Sequence, residues 1–149
     1  MGMQVPVSLK SGHDAIQAAL KRATGEPGAL GETARTIARI MSGHMMREEK
    51  FALRPLGLLK ELARGETPAE LAEVVKLARS FRLEMAQMID EHRQIAEALH
   101  ALASAAEAAG KPEYVALAED MLIHAHVEED VLYPAALLIG KYAALIRGD

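Results

Sequence analysis

The sequence of 149 residues has no cysteine, so it cannot form disulfide bonds, thiolate zinc sites or iron–sulfur clusters. Any metal ion must therefore be held by nitrogen and oxygen ligands. Aromatic residues are also scarce, at 3%. Alanine, leucine and methionine dominate instead, and these side chains lose little rotamer freedom in a helix. The composition predicts an all-α fold.

The chain also lacks an excess of positive charge, and its formal net charge is -4. Lysine and arginine are scattered among acidic residues, so no basic stripe is present to bind a phosphate backbone or an anionic membrane. We therefore expect neither nucleic acid nor a membrane as a partner. No run of 18 apolar residues occurs, and residues 1–10 lack a basic segment followed by an apolar one. We expect a soluble, cytoplasmic protein.

The length predicts one domain, residues 1–149, with a single core. In the first half, apolar spacing predicts helices over residues 9–23, 29–54 and 56–63. Pro55 should break or kink the second of these helices, because proline lacks an amide donor and clashes with the preceding turn.

In the second half, Thr67 and Glu70 have the spacing of a capping box with a proline between them, which predicts the start of a third helix. This helix can run to Gly110, or it can break near Ser80, because an unbroken helix would span roughly 60 Å. A fourth helix is predicted over residues 112–134, with a continuation over residues 135–146. Four long helices with short connections predict an antiparallel up-down four-helix bundle.

The histidines form an internal repeat. Each half of the chain carries one histidine on its first long helix and a His-x3-Glu pair on its second. The two histidines of a half are 31 residues apart in the first half and 32 residues apart in the second. The repeat singles out His13, His44, Glu48, His92, His124 and Glu128.

The repeat has the residue types and spacing of a site for two metal ions. Residues four apart on a helix face the same way, so each His-x3-Glu pair can bind one ion, or its carboxylate can bridge two. Packing the halves about a pseudo-twofold axis would gather four imidazoles and two carboxylates. The predicted sets are His13/His44/Glu48 and His92/His124/Glu128. Such ligands suit iron, manganese or zinc, with coordination positions left open.

A simpler interpretation exists for each residue alone. A histidine on an apolar stripe is commonly a hydrogen-bonded core residue, and His-x3-Glu can be a surface pair. The coincidence of all six with the inward helix faces favours the metal site, because two buried glutamates need a cation. The other polar residues are weaker candidates. His126 is predicted to face solvent, and His100 is predicted to lie at the surface or beside a ligand. Glu49 and Glu129 are predicted to be surface charges, although either could replace a ligand if the helix phase is shifted. Asp14, Asp130 and Glu91 are predicted to have no role at the site.

Three methionines precede helical histidines by three or four residues. We expect Met41, Met88 and Met121 to line the cavity beside the site, since methionine fills irregular gaps. An apolar wall there would favour small uncharged ligands such as O2 or NO. Tyr133 is placed on the face opposite His124 and is at most a minor candidate for redox chemistry.

These residues resemble the haemerythrin family, and in particular its HHE cation-binding domains, over nearly the whole chain. The marks are His13, the segment HMMREE from His44, the segment EHR from Glu91, and HAHVEEDVLYP from His124. The resemblance implies a non-haem di-iron centre with an oxo or hydroxo bridge and reversible binding of small diatomic ligands. It also implies terminal ligands and bridging carboxylates, namely His13, His44, His92 and His124 with Glu48 and Glu128.

The chain departs from the oxygen-carrying members of that family. Carriers have His-x3-His on the third helix, whereas Met88 precedes His92 here. Carriers also usually have His-x4-Asp on the fourth helix, where this chain has His-x3-Glu. The ligand set is more similar to the branch that includes NO-responsive and iron-centre repair proteins and iron sensors. The cysteine-bearing domain of the repair proteins is lacking.

Two classes of function fit the same ligands. One is a module that binds or senses O2, NO or iron. The other is an enzyme that reduces peroxide or NO and needs a redox partner as electron donor. A ferritin-like oxidase would need two Glu-x-x-His motifs, and only the one ending at His100 occurs.

Overall fold

A computed structural model describes residues 3–149, and every regular element within them is a helix. The predicted all-α class is therefore confirmed. In chain order the elements are α1 (Val7–Thr24), α2 (Gly28–Glu48), a first π turn (Glu49–Leu53), a 3-10 segment (Arg54–Leu58), α3 (Leu59–Ala63), α4 (Leu71–Ala108), α5 (Pro112–Val127), a second π turn (Glu128–Leu132) and α6 (Tyr133–Arg147).

The two π turns occupy equivalent places in the two halves of the chain. The first begins directly after Glu48, and the second begins at Glu128. Each ends two residues before a proline, Pro55 or Pro134, which cannot donate to the preceding turn. At Pro55 the helix changes to 3-10 geometry, so the predicted interruption is confirmed. A π turn changes the phase of the residues that follow it, and this affects the site described below.

The helix α4 is continuous over 38 residues, so the break considered near Ser80 does not occur. Its length is covered by other helices: α6 packs against it, as do α2 and α5. Buried apolar residues recur on α4 every seven positions, namely Val74, Phe81, Met88, Ile95 and Leu102. These residues, about two turns apart, form an apolar stripe along most of the helix that packs against its neighbours.

The start predicted for this helix is wrong by several residues. The helix begins at Leu71, and no side-chain cap forms there. The backbone of Glu70 has a ψ of 9°, outside the helical range, and its carbonyl accepts the hydrogen bond from Val74 N. Thr67 and Pro68 therefore belong to the connection from α3 rather than to a capping box.

The buried core has two apolar clusters. One contains Phe81, Met88 and Tyr133, and the other contains Ile37, Leu102 and their neighbours. The buried polar residues lie between the clusters: His13, His44, Glu48, His92 and Glu128. None of the helices in residues 3–149 combines the length and the apolar character needed to cross a bilayer.

Candidate metal centre

All six residues singled out by the repeat meet in the core. His13 lies on α1, His44 and Glu48 on α2, His92 on α4, and His124 at the end of α5, while Glu128 opens the second π turn. Five of them are buried, and the side chain of His124 is 25% exposed. Their ligand atoms form two groups, each with two histidines and both glutamates.

The pairing of the histidines differs from the predicted sets. His13 lies beside His124, with ring centroids 5.1 Å apart, and His44 lies beside His92 at 4.7 Å. Each pair therefore joins one histidine from each half, across the contacts of α1 with α5 and of α2 with α4. The predicted sets, which kept each half's histidines together, are wrong. We call the observed pairs the 13/124 pair and the 44/92 pair.

Glu48 turns one carboxylate oxygen towards each pair. Its Oε1 lies 2.8 Å from Nε2 of His13, and its Oε2 lies 3.4 Å from Nε2 of His44. The same Oε2 is 3.9 Å from Nε2 of His92. A carboxylate held in this way can bridge two cations.

Glu128 repeats the arrangement from the opposite half. Its Oε2 lies 3.3 Å from Nε2 of His13 and 3.2 Å from Nε2 of His124. Its Oε1 faces the other pair, 3.4 Å from Nε2 of His92. The two glutamates thus share both histidine pairs.

The ionisation of these groups reflects their crowding. Burial lowers the pKa of His13, but Glu128 and Glu48 outweigh that effect and raise it to about 10. Burial raises the pKa of Glu128, but the imidazoles of His124, His13 and His92 hold it well below its usual range. The carboxylates therefore favour positive charge between them, which protons on the rings or a metal cation can supply.

Two further observations fit a cation. Nε2 of His44 and Nε2 of His92 are 3.0 Å apart, and both rings have carboxylates at Nδ1. When Nδ1 of each ring carries the proton, both Nε2 atoms have a free lone pair, and the two lone pairs point into the same space. Two nitrogens that bind one ion at about 2.1 Å and at right angles to each other lie about 3 Å apart, which matches the observed separation. Nε2 of His124 is buried and has no hydrogen-bond partner in residues 3–149. The nearest carboxylate oxygen, Oε2 of Glu128, is 3.2 Å away and can form an ion pair with the ring when it is protonated.

Three carboxylates outside the predicted ligand set contact the candidate ligand histidines from outside. Glu129 accepts from Nδ1 of His92 at 2.8 Å. Glu49 accepts from His13 and Glu91 from His44, each at 3.3 Å. We call Glu49, Glu91 and Glu129 the outer carboxylates. Glu49 and Glu129 are partly exposed, but the prediction missed the contacts that all three make with the histidines. A signal was present in the sequence, because Glu49 and Glu129 directly follow the candidate glutamates and Glu91 directly precedes His92.

Cations hold two of the outer carboxylates in place. Arg47 donates to both oxygens of Glu91, and Lys10 donates to Glu49 at 3.1 Å. A carboxylate at Nδ1 orients an imidazole and raises its basicity as a ligand. The fixed carboxylates in turn hold the rings of His13 and His44 in a defined orientation.

Tyr133 was predicted to face away from the site and instead enters it. Its side chain is buried, and its hydroxyl donates to Oε2 of Glu48. Nine residues of regular helix would turn Tyr133 about 180° from His124. The second π turn lies between them and shifts the phase. Burial first, and then the charges of Glu48 and Glu128, raise the pKa of Tyr133 above its usual value.

Some of the remaining predictions agree with the structure, and one does not. His100, His126, Asp14 and Asp130 are exposed, as expected. Met41 and Met121 line a cavity beside the ligands, but Met88 packs in the other apolar cluster. Its place in the cavity is taken by Met45.

The cavity touches all six candidate ligands and has a volume of about 20 Å³. A space of that size holds about one water-sized molecule. Its remaining wall is apolar, formed by Ile16, Met41, Met45, Ile95, Met121 and Ala125. A molecule in the cavity would thus have nitrogen and oxygen ligands on one side and hydrocarbon or thioether on the other.

Chemically, the cluster offers four imidazole nitrogens and two carboxylates, a donor set that suits iron, manganese or zinc. The residues present therefore fit a metal centre. Comparison with family models, with curated proteins and with solved structures finds no match to the chain.

Proposed function

We propose that the protein is a haemerythrin-like metal protein whose antiparallel helix bundle holds two iron ions. The 13/124 pair would hold one ion and the 44/92 pair the other, and Glu48 and Glu128 would each offer a carboxylate oxygen to both. Zinc or manganese can substitute, because all three ions accept nitrogen and oxygen ligands. A cytoplasmic location is part of the same proposal.

The observation that carries the proposal is the shared use of the carboxylates. Each glutamate directs one oxygen to each histidine pair, at 2.8 to 3.4 Å from the nearest imidazole nitrogens. A single ion would leave one pair and two carboxylate oxygens buried without a cation. Such a cluster of buried polar groups is costly unless its charge is balanced.

The ligand that we propose is a small uncharged molecule, O2 or NO. The cavity of about 20 Å³ suits a molecule of that size, and its wall away from the candidate ligands is apolar. Bound iron supplies the electron exchange with such a molecule. The protein's residues position the metal and exclude bulk water.

An enzyme that reduces peroxide or NO is the second candidate, and a role in repairing iron centres is a variant of it. The observation in its favour is Tyr133, whose hydroxyl contacts Glu48 and lies 3.3 Å from Nε2 of His92. A phenol in this place can pass a proton to the centre. Reduction would also need electrons from a redox partner.

Metal analysis with visible spectroscopy tests the proposal. Protein purified in air should carry close to two irons per chain and show an iron-centred absorption band that azide perturbs. His124→Ala should lower the iron content and weaken the band. His126→Ala, two residues away and exposed, is the matched control and should leave both unchanged.

A wild-type protein that binds no metal, or a band unaffected by His124→Ala, would refute the proposal. The two candidate functions separate by kinetics. Stoichiometric, reversible binding of NO or O2 supports the binding module. Sustained consumption of peroxide or NO with an added electron donor supports the enzyme.

A further inference from the structure

The four ligand histidines are not equally supported. Three have an outer carboxylate at Nδ1, at 2.8 Å for His92 and 3.3 Å for His44 and His13. Within residues 3–149, no carboxylate accepts from Nδ1 of His124. Both rings of the 44/92 pair are therefore oriented from outside, but only one ring of the 13/124 pair is.

The solvent exposure of the four histidine side chains also sets His124 apart from the other three. The side chains of His13, His44 and His92 are 1%, 2% and 6% exposed, whereas that of His124 is 25% exposed. His124 is thus the one candidate ligand that solvent reaches appreciably. A ring that is neither held at Nδ1 nor fully enclosed is less constrained in its orientation, so it is expected to bind an ion less tightly.

The sequence repeat locates the missing carboxylate. Glu91 directly precedes His92 and contacts His44, the partner of His92 in its pair. The equivalent residue in the first half directly precedes His13 and would face His124. That residue is Gly12, which has no side chain to offer. A Cβ built on Gly12 meets no atom within 4 Å, so the space for a longer side chain is open.

We infer that the two metal positions are unequal: the 44/92 pair holds its ion tightly, and the 13/124 pair holds a weaker, exchangeable ion because Gly12 leaves His124 unsupported. This inference rests on the proposed function. Loss of an outer partner typically costs 10- to 100-fold in metal affinity. The ion at the 13/124 pair therefore binds last and leaves first, and His124 is where ions and small ligands enter.

Titration of the metal-free protein with Co²⁺ tests the inference, followed by calorimetry and by the visible bands of bound Co²⁺. Wild-type protein should bind in two steps whose affinities differ by at least about 10-fold. His124→Ala should abolish the weaker step and keep the tighter one. His126→Ala should behave as wild type.

Gly12→Glu is the decisive variant, because it supplies the carboxylate that the repeat lacks. It should strengthen the weaker step by about 10-fold or more and leave the tighter step unchanged. Gly12→Ala adds a Cβ without the carboxylate and is the control for helix propensity. Circular dichroism should show equal helix content in all variants. If Gly12→Glu fails to fold, His124→Ala still decides.

The outcomes separate the two proposals. Three results would overturn the inference but leave the proposed metal centre intact. They are two equal binding steps in wild-type protein, loss of the tighter step in His124→Ala, and identical titrations of Gly12→Glu and Gly12→Ala. A wild-type protein that binds no Co²⁺ would overturn the proposed function itself.

Discussion

The hydroxyl of Tyr133 donates a hydrogen bond to Oε2 of Glu48, across 85 residues of sequence. The ring of Tyr133 also stacks on His92, with centroids 5.7 Å apart and planes 19° from parallel. One side chain from α6 thus contacts a candidate bridging carboxylate and a candidate terminal ligand.

Tyr133→Phe should keep the ring packing and remove the donor to Glu48. Leaving one buried carboxylate oxygen without its partner should lower the free energy of unfolding of metal-free protein by about 1–3 kcal/mol. Urea denaturation measures this change. Tyr142→Phe, at a 41% exposed position, should be near neutral. Equal effects of the two variants would contradict the role given to the Tyr133 hydroxyl.

The stability of the metal-free protein should fall in alkaline solution. The pKa of His13 is 6.5 when unperturbed and about 10 in the folded chain. Its stabilising contribution is therefore complete below pH 6.5 and is lost as the pH rises from 6.5 through 10. Thermal unfolding after chelation should show a falling midpoint over this range. His13→Gln should flatten the dependence, and an unchanged slope would rule out His13 as its source.

Acid should destabilise the metal-free protein by the opposite route. The pKa of Glu128 is 4.5 when unperturbed and lower than that in the folded chain. Its contribution to stability is therefore present above pH 4.5 and is lost as the pH falls through the folded-state pKa. When the pH is lowered from about 5 to strongly acidic values, the free energy of unfolding of Glu128→Gln should therefore fall less than that of wild-type protein. Asp130→Asn, at an exposed position, is the control and should leave the acid dependence as in wild type.

Glu129→Gln should weaken the ion held by the 44/92 pair. The carboxylate of Glu129 accepts from Nδ1 of His92 at 2.8 Å, and a neutral amide orients and activates the ring less. We expect a loss of about 10- to 100-fold in the tighter Co²⁺ step. Asp130→Asn again serves as the control. A loss confined to the weaker step would mean that His92 serves the other ion.

Gly140→Ala should destabilise the contact between α4 and α6. A Cβ at Gly140 would lie 2.2 Å from Cβ of Ala78, so the two helices would have to separate. Overpacking of this kind costs about 1–3 kcal/mol, measurable by urea denaturation. Gly12→Ala, where the added Cβ meets nothing within 4 Å, should instead stabilise by about 1 kcal/mol through helix propensity. Equal changes in both would show that α6 can shift without cost.

Much of the fold could be predicted because helical periodicity and proline positions are local properties. The extent of α1 and the start of α2 agree with the spacing of apolar residues, and the change to 3-10 geometry near Pro55 follows from its missing donor. The predicted end of the second helix at residue 54 is wrong, because α2 ends at Glu48 and the first π turn follows it. The start of α4 could not be predicted, because Thr67 and Glu70 fit a capping box that the connection from α3 does not form. The position of the helix start is determined there by how the chain must connect two packed helices, and the local capping sequence does not override it.

By itself, the sequence determined which six residues meet, since a repeated His-x3-Glu spacing puts each pair on one helix face. Only the tertiary structure decided how they combine. The pairing of His13 with His124 depends on which helices of the two halves pack together. The entry of Tyr133 depends on a π turn that changes the helical phase. The outer carboxylates act across helices, and contacts of that kind are set by packing, which one-dimensional spacing does not encode.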